Sequence, residues 1–217
     1  MKDFEAVVFD MDGVIFDSEK LVLRAWKEVA QKYHIPDIET VCMECLGLNQ
    51  TASYEKFCEK YGKDFPYEEY KKETRALFFG PFYGEHLPIK PGTEELLTFL
   101  ADHHKKIALA SSTRKELVVK ELTDAGLIDY FDTIVCGDMV THSKPHPEIF
   151  VTACKNLGVP VEKAYAIEDS FNGIRAAYTG KLRPIMVPDM VKPTDEILSL
   201  TEICLRSLKE VKDYLAQ

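Results

Sequence analysis

The chain has 217 residues, 46% hydrophobic, 29% charged and 11% aromatic, which is ordinary globular usage and enough for a real core. Disorder, a collagen repeat and a coiled coil are poor fits to that balance. Lys plus Arg number 27 against 36 Asp plus Glu, a net charge of −9 with no basic stretch, so no nucleic-acid partner is expected. No apolar run approaches the roughly 20 residues of a membrane span, so no membrane partner is expected either. The start Met1-Lys2-Asp3-Phe4-Glu5 carries charges where a signal peptide needs an apolar core. The expected location is the cytoplasm, where Cys42, Cys45, Cys58, Cys136, Cys154 and Cys204 stay thiols. Cys42-x-x-Cys45 has no second pair or nearby His to complete a zinc or redox site, and reads as two part-buried thiols on one helix. An acidic surface without a zipper pattern makes a monomer the expectation.

In chain order, Ala6-Val7-Val8-Phe9 is a short apolar run stopping at Asp10, as a strand buried on both faces would. From Ser18, an N-cap with Glu19 in the first turn, Leu21, Val22, Ala25, Trp26, Val29, Ala30 and Tyr33 recur at helical spacing. Helix-like segments continue to about Phe79 without a convincing strand. After Pro91-Gly92 a helix over Glu94–His104 leads to a strand at Ile107–Ala110. Thr113-Arg114-Lys115-Glu116 has capping-box form and opens a helix that Gly126 closes. A strand at Thr133–Cys136, a helix from Pro147 to Leu157 ended by Gly158, and a strand at Ala164–Ile167 follow. A helix over Ser170–Thr179, a strand at Pro184–Val187 and a closing helix at Leu205–Leu215 complete the reading.

Strand alternating with helix means an α/β fold, a doubly wound, Rossmann-like parallel sheet covered on both faces. The catalytic core is expected at residues 1–16 and 85–217, with a four-helix-type α-helical cap inserted at 17–84. Pro81, Gly84, Pro88 and Pro91 punctuate the return crossing, and cap opening is expected to depend on Phe16-Asp17 and Gly80–Gly84.

Ligands of an open parallel sheet bind outside the carboxyl ends of its strands. Four polar groups fall there: Asp10-Met11-Asp12-Gly13, Ser111-Ser112-Thr113, Lys144-Pro145 and Glu168-Asp169. Asp10, Asp12, Glu168 and Asp169 crowd carboxylates that need a cation, and hard oxygen donors of this number suit Mg²⁺. Ser111 and the N–H groups after it, near a helix start, can hold phosphate oxygens, and Lys144 adds a positive charge. Any one of these motifs alone is a turn, a cap or a surface loop. Their order and shared placement describe phosphoryl transfer.

With Val8-Phe9-Asp10-Met11-Asp12-Gly13-Val14, Ala108-Leu109-Ala110-Ser111-Ser112, Ser143-Lys144-Pro145-His146-Pro147 and Ala166-Ile167-Glu168-Asp169-Ser170, the sequence resembles the haloacid dehalogenase superfamily. The similarity is to its branch of sugar-phosphate phosphatases and β-phosphoglucomutases with a helical cap. The resemblance implies that Asp10 takes the phosphoryl group as an aspartyl phosphate, while Asp12 protonates the leaving oxygen and then activates water. It implies Mg²⁺ on Asp10, the Asp12 carbonyl and Asp169, with Glu168 direct or through water. Ser111 and Lys144, helped by N–H groups of Met11, Asp12 and Ser112, would hold the phosphoryl group. Dehalogenases of the superfamily lack an Asp at the Asp12 position, so Asp12 points to a phosphate ester.

Mutases of this branch resemble Lys-Gly-x-Ser-Arg on the cap, where this chain has Leu46-Gly47-Leu48-Asn49-Gln50, and Val22 stands where they tend to carry a His. Two cations for a distal phosphate are thus missing, and the expected activity is a phosphatase acting on a small phosphorylated metabolite. A mutase is the alternative, with Arg24 or Arg75 compensating; a non-catalytic metabolite binder is the second, against which Asp10, Asp12, Lys144 and Asp169 argue. Glu19, Trp26, Asn49, Gln50 and Arg75 are the cap candidates for substrate selection. The run Phe78-Phe79-Pro81-Phe82-Tyr83 is expected mainly to pack, His103-His104 to face solvent, and His142 and His146 to flank Lys144.

Overall fold

Strand β1 (Ala6–Phe9) has no solvent exposure on either face, and its residue sizes decide what covers each face. A computed structural model describes residues 2–46, 48–83 and 87–217. Six parallel strands run in the order β3-β2-β1-β4-β5-β6, with β2 at Lys106–Ser111, β3 at Thr133–Cys136, β4 at Ala164–Glu168, β5 at Arg183–Met186 and β6 at Ile203–Cys204. Val8 pairs in register with Ala108 on one side and Ala166 on the other.

One face of the sheet is built from Val7, Phe9, Ile107, Leu109, Tyr165 and Ile167. It packs against helices α5 (Thr93–Asp102), α6 (Lys115–Asp124) and α10 (Leu208–Ala216) through Leu96, Leu97, Leu100, Val118, Leu122, Val211 and Leu215. The opposite face presents Ala6, Val8, Ala108, Ala110, Ala164 and Ala166 to α7 (Glu148–Leu157) and α8 (Phe171–Thr179). Small residues there let two helices approach closely, and Phe150, Ala153 and Ala177 fill the space between.

Four helices lie between β1 and α5: α1 (Glu19–Tyr33), α2 (Ile38–Cys45), α3 (Gln50–Tyr61) and α4 (Tyr67–Leu77). They have their own apolar cluster around Phe57, which is fully buried. Its ring lies 5.1 Å from Trp26, 4.9 Å from Tyr67 and 5.6 Å from Tyr70. A π-helical turn, Phe78–Phe82, continues α4, so Gly80 sits inside helix, while Gly84 and the boundary residue Glu85 lie outside the described residues. The two crossings are joined by backbone: Asp17 donates to the Pro88 carbonyl at 2.8 Å and Lys90 to that of Ile15 at 2.8 Å.

Three sequence expectations change. Ser18 does not cap α1 and Thr113 does not cap α6; both hydroxyls point elsewhere, as described below. The region after β5 contains a helix, α9 (Asp195–Leu200), capped by Thr194, and the short strand β6, neither of which the apolar pattern announced. The closing helix therefore starts at Leu208, capped by Ser207, instead of Leu205. No helix among the described residues is long and apolar enough to cross a membrane.

Phe57→Ala removes the ring on which the helical insert packs, and the expected cost is about 3–5 kcal/mol in urea unfolding. A cost below about 1 kcal/mol would show that the insert packs without this ring.

Candidate active site

Strand order reverses at β1: β2 and β3 lie to one side, β4 to β6 to the other, and the crevice at such a switch point is where open parallel sheets bind ligands. Asp10 follows β1 directly, Ser111 ends β2 and Glu168 ends β4, so register alone brings these residues to one end of the sheet.

Lys144 reaches the same place from the loop between β3 and α7 and is almost wholly buried. Its Nζ donates to Asp10 Oδ1 at 2.5 Å, Glu168 Oε1 at 2.6 Å and the Ala110 carbonyl at 3.0 Å, which uses all three ammonium protons. Burial alone would lower the lysine pKa, but Asp10 and Glu168 more than reverse this and hold it above the ordinary value. Burial likewise pushes the Asp10 carboxyl above the carboxylate range, with Lys144 opposing and Glu168 and Asp12 adding to the rise.

Glu168 is saturated by protein. Its Oε2 accepts from the Asp169 and Ser170 N–H groups at 3.1 and 3.2 Å and from Ser170 Oγ at 3.0 Å. Gly173 leaves the room this needs, since a Cβ there would overlap the Glu168 carboxylate. Asp169 is the opposite case: it is buried, it faces the Glu19 carboxyl, and neither of its carboxylate oxygens meets an N–H or hydroxyl donor. Burial raises its pKa well above the ordinary value, and Glu19, Glu168 and Asp10 raise it further. Glu19 is buried too, pushed up to about 8, and its Oε2 also lacks a partner.

Unpartnered buried carboxylate oxygens are costly unless something positive meets them. Asp10, Glu168 and Asp169 offer ligand atoms within 4.8 Å of one another, an all-oxygen donor set that fits a hard divalent cation. Asp10 and Asp169 are the members of that set with coordination capacity to spare, because Glu168 is already engaged.

Asp12 is held differently. Ser18 Oγ donates to its Oδ1 at 2.6 Å and Thr113 Oγ1 to its Oδ2 at 2.9 Å. The sequence pattern does not announce this grip: Ser18 reads only as a helix cap, and Thr113, placed at the crevice with Ser111 and Ser112, carries no sign of its bond to Asp12. The only local signal was the Ser111-Ser112-Thr113 run. Ser111 is fully buried, its Oγ accepting from the Thr113 N–H at 3.1 Å, while Ser112 and Thr113 line the crevice. Met11 is buried, and its carbonyl closes the loop by accepting from Ile15 and Phe16.

A cavity of about 230 Å³ lies over Asp10, Asp12 and Asp169, walled by Glu19, Trp26, Leu46 and Leu48 of the helical insert. A second, of about 290 Å³, shares Asp12, Trp26 and Thr113 with it and extends to Gln50, Lys71, Arg75, Arg114 and Glu121. Glu19, Trp26, Gln50 and Arg75 thus face these spaces. Asn49 instead caps α3 and ties the insert to the sheet, its N–H donating to Ser143 Oγ at 3.2 Å. Asn172 makes a similar tie, donating to the Leu46 carbonyl at 3.2 Å. Gly47 lies outside the described residues. Phe78 and Phe79 both pack and line the second cavity, and His103 and His104 are exposed, as expected. Cys42 and Cys45 are buried free thiols that burial pushes up to about 12 and 11, so neither is a thiolate near neutrality.

Residues 7–187 match the model of the haloacid dehalogenase-like hydrolase family. A phosphorylated carbohydrates phosphatase of Thermotoga maritima is 34% identical over 185 residues, 83% of each chain. Hexitol phosphatase B of Escherichia coli is 29% identical, covering 97% of this chain and 96% of its own. Among solved structures, β-phosphoglucomutase of Clostridium difficile superimposes with a TM-score of 0.81 at 27% identity, covering 98% of this chain and 96% of that one. The parallel sheet, its switch point and this match agree: the chain belongs to the haloacid dehalogenase-like hydrolase family.

Lys144→Ala would leave Asp10 and Glu168 buried without their ammonium, and the expected loss is about 3–5 kcal/mol in metal-free chemical unfolding. A change below about 1 kcal/mol would show that the ammonium does not stabilise this cluster.

Proposed function

We propose that the chain is a Mg²⁺-dependent phosphatase that hydrolyses small phosphate monoesters, sugar phosphates or nucleotide-like, through an aspartyl phosphate on Asp10. The chain is a phosphoric monoester hydrolase of its family. The observation that carries the finer reading is the division of labour between two carboxyls two residues apart. Asp10 is paired to a buried lysine and lines the cavity floor, while Asp12 is gripped by two hydroxyls at the mouth.

In the first step an Asp10 oxygen attacks phosphorus, the ester P–O bond breaks, and Asp12 gives its proton to the departing alkoxide. In the second, Asp12 takes a proton from the attacking water, the Asp10–phosphorus bond breaks, and inorganic phosphate leaves. Lys144 would act on the transferring group through its charge, its three protons being engaged within the protein, while Ser111 and N–H groups of Met11, Asp12 and Ser112 would steady it. Asp10, Asp169 and the Asp12 carbonyl would hold Mg²⁺, with Glu168 orienting them. Bound Mg²⁺ would neutralise charge on the phosphoryl oxygens.

The substrate reading draws support from the relatives named for phosphorylated carbohydrates and hexitols. The domain reading, core at 1–16 and 85–217 and cap at 17–84, draws support from the separate apolar cluster around Phe57 and the paired crossings. A monomer in the cytoplasm fits the six free cysteines. A mutase is the second reading. Leu46 and Leu48 give an apolar wall where a distal phosphate would need cations, but Lys71, Arg75 and Arg114 line the adjoining cavity.

Phosphate release across sugar phosphates and nucleoside monophosphates is expected only with Mg²⁺, and chelation should abolish it reversibly. Conversion of β-glucose 1-phosphate to glucose 6-phosphate, primed with the 1,6-bisphosphate, should be slow; rapid isomerisation with little phosphate release would establish the mutase. Asp10→Asn should lower turnover by about 10³-fold or more with the fold intact. Near wild-type turnover in that variant would overturn the mechanism.

A further inference from the structure

The loop that delivers Lys144 has an outer surface that the phosphatase reading does not use. Lys144 anchors its middle inside the protein. On the outside, His142, His146 and Glu148, the first residue of α7, converge. The Glu148 carboxylate is fixed at both oxygens: Oε1 accepts from the Thr141 N–H at 2.8 Å and Oε2 from the His142 N–H at 2.9 Å. His142 Nδ1 lies 2.9 Å from the same Oε2. The two imidazoles face each other with centroids 4.5 Å apart and planes 33° from parallel, and both rings are exposed.

A carboxylate that merely capped this loop would need the two N–H groups and nothing more. Here it also meets the His142 ring, while the His146 Nδ1 accepts from the Glu148 N–H at 3.3 Å, and one ligand atom from each of the three residues lies within 4.8 Å of the others. Two neutral ring nitrogens and one carboxylate oxygen are a poor set for Mg²⁺ or Ca²⁺, which take oxygen shells. They suit a borderline transition ion, for which two histidines and a glutamate with an open fourth position are a known ligand combination. At metal–ligand distances of about 2.1 Å, tetrahedral ligand atoms sit about 3.4 Å apart. No gap in the trio therefore has to close by more than about 1.4 Å, a distance that turning exposed rings can supply while Lys144 keeps the backbone in place.

We propose that His142, His146 and Glu148 form a binding site for a zinc-class divalent ion on the outer face of the Lys144 loop, with water in the fourth position. The ion takes the place of the proton between the neutral His142 ring and Glu148, that proton moving to the other ring nitrogen, and no redox change is involved. The site is separate from the buried carboxylate cluster, and the proposal stands whether or not the chain proves to be a phosphatase.

Titration of the full chain with Zn²⁺, in excess Mg²⁺ so that the carboxylate cluster does not compete, tests it. One equivalent should bind, and His142→Ala and His146→Ala should each weaken binding by at least about tenfold. Zinc should raise the melting temperature of the wild type and not that of His142→Ala, because an ion that binds only the folded loop stabilises by mass action. Co²⁺ in the same site should give the visible bands of a four-coordinate nitrogen–oxygen ion without a thiolate charge-transfer band. Phosphate release by His142→Ala in zinc-free buffer should match the wild type. Equal zinc affinity in both variants, a thiolate band placing the ion on cysteines, or no binding by the wild type would each overturn the proposal.

Discussion

One ammonium group buried between two carboxylates is the constraint around which this protein is arranged. Lys144 has no access to water, so its three protons must all find acceptors inside the protein, and they find Asp10, Glu168 and the Ala110 carbonyl. Those acceptors come from the ends of β1, β4 and β2, adjacent strands of one sheet. A slip of one residue in either strand pairing would turn a carboxylate away and strand the lysine. The ion cluster thus ties strand register to the chemistry at the strand ends.

Charge balance in that cluster carries the argument from fold to cofactor. One lysine cannot neutralise Asp10, Glu168, Asp169, Glu19 and Asp12 together, and the deficit is concentrated where carboxylate oxygens have no partner, on Asp169 and Glu19. Glu168 is spent on Lys144 and on backbone, which gives it the work of orientation. Asp169 lines the cavity against the Glu19 carboxyl with no N–H or hydroxyl donor on either oxygen, and a divalent cation is the kind of ligand that resolves such a deficit.

Much of this was legible in the residue order because a buried parallel strand is an apolar run that must stop where a polar side chain begins. Val8-Phe9-Asp10 and Ala166-Ile167-Glu168-Asp169 show that transition directly. Where the pattern failed, it failed for physical reasons. Ile203–Cys204 is a two-residue edge strand, half-buried, and has too little apolar length to register. Ser18 and Thr113 sit at helix starts, where a hydroxyl reads as a cap. What recruits Thr113 is Asp12, 101 residues away in sequence, and no local pattern records that distance. The strand runs one residue past Ala110 through Ser111, which buries the first serine and opens Ser112 to the crevice.

The Asp12 grip joins the helical insert to the chemistry. Ser18 stands at the entry to α1, and Thr113 stands on the loop after β2, so the carboxyl is held by one hydroxyl from each of the two layers that enclose the cavity. The direction of the Asp12 carboxyl is fixed only while both are in place. Elsewhere the insert meets the core through polar ties, Asn49 to Ser143, Asn172 to the Leu46 carbonyl and Lys20 to Asp189, and through Leu21, Val22, Phe78 and Phe79 packed against the apolar cluster of the sheet. Trp26, Gln50, Lys71 and Arg75, which line the adjoining cavity, all stand on the insert. A substitution among them leaves the lysine beneath undisturbed, whereas any change that moves Ser18 alters the direction of Asp12 as well.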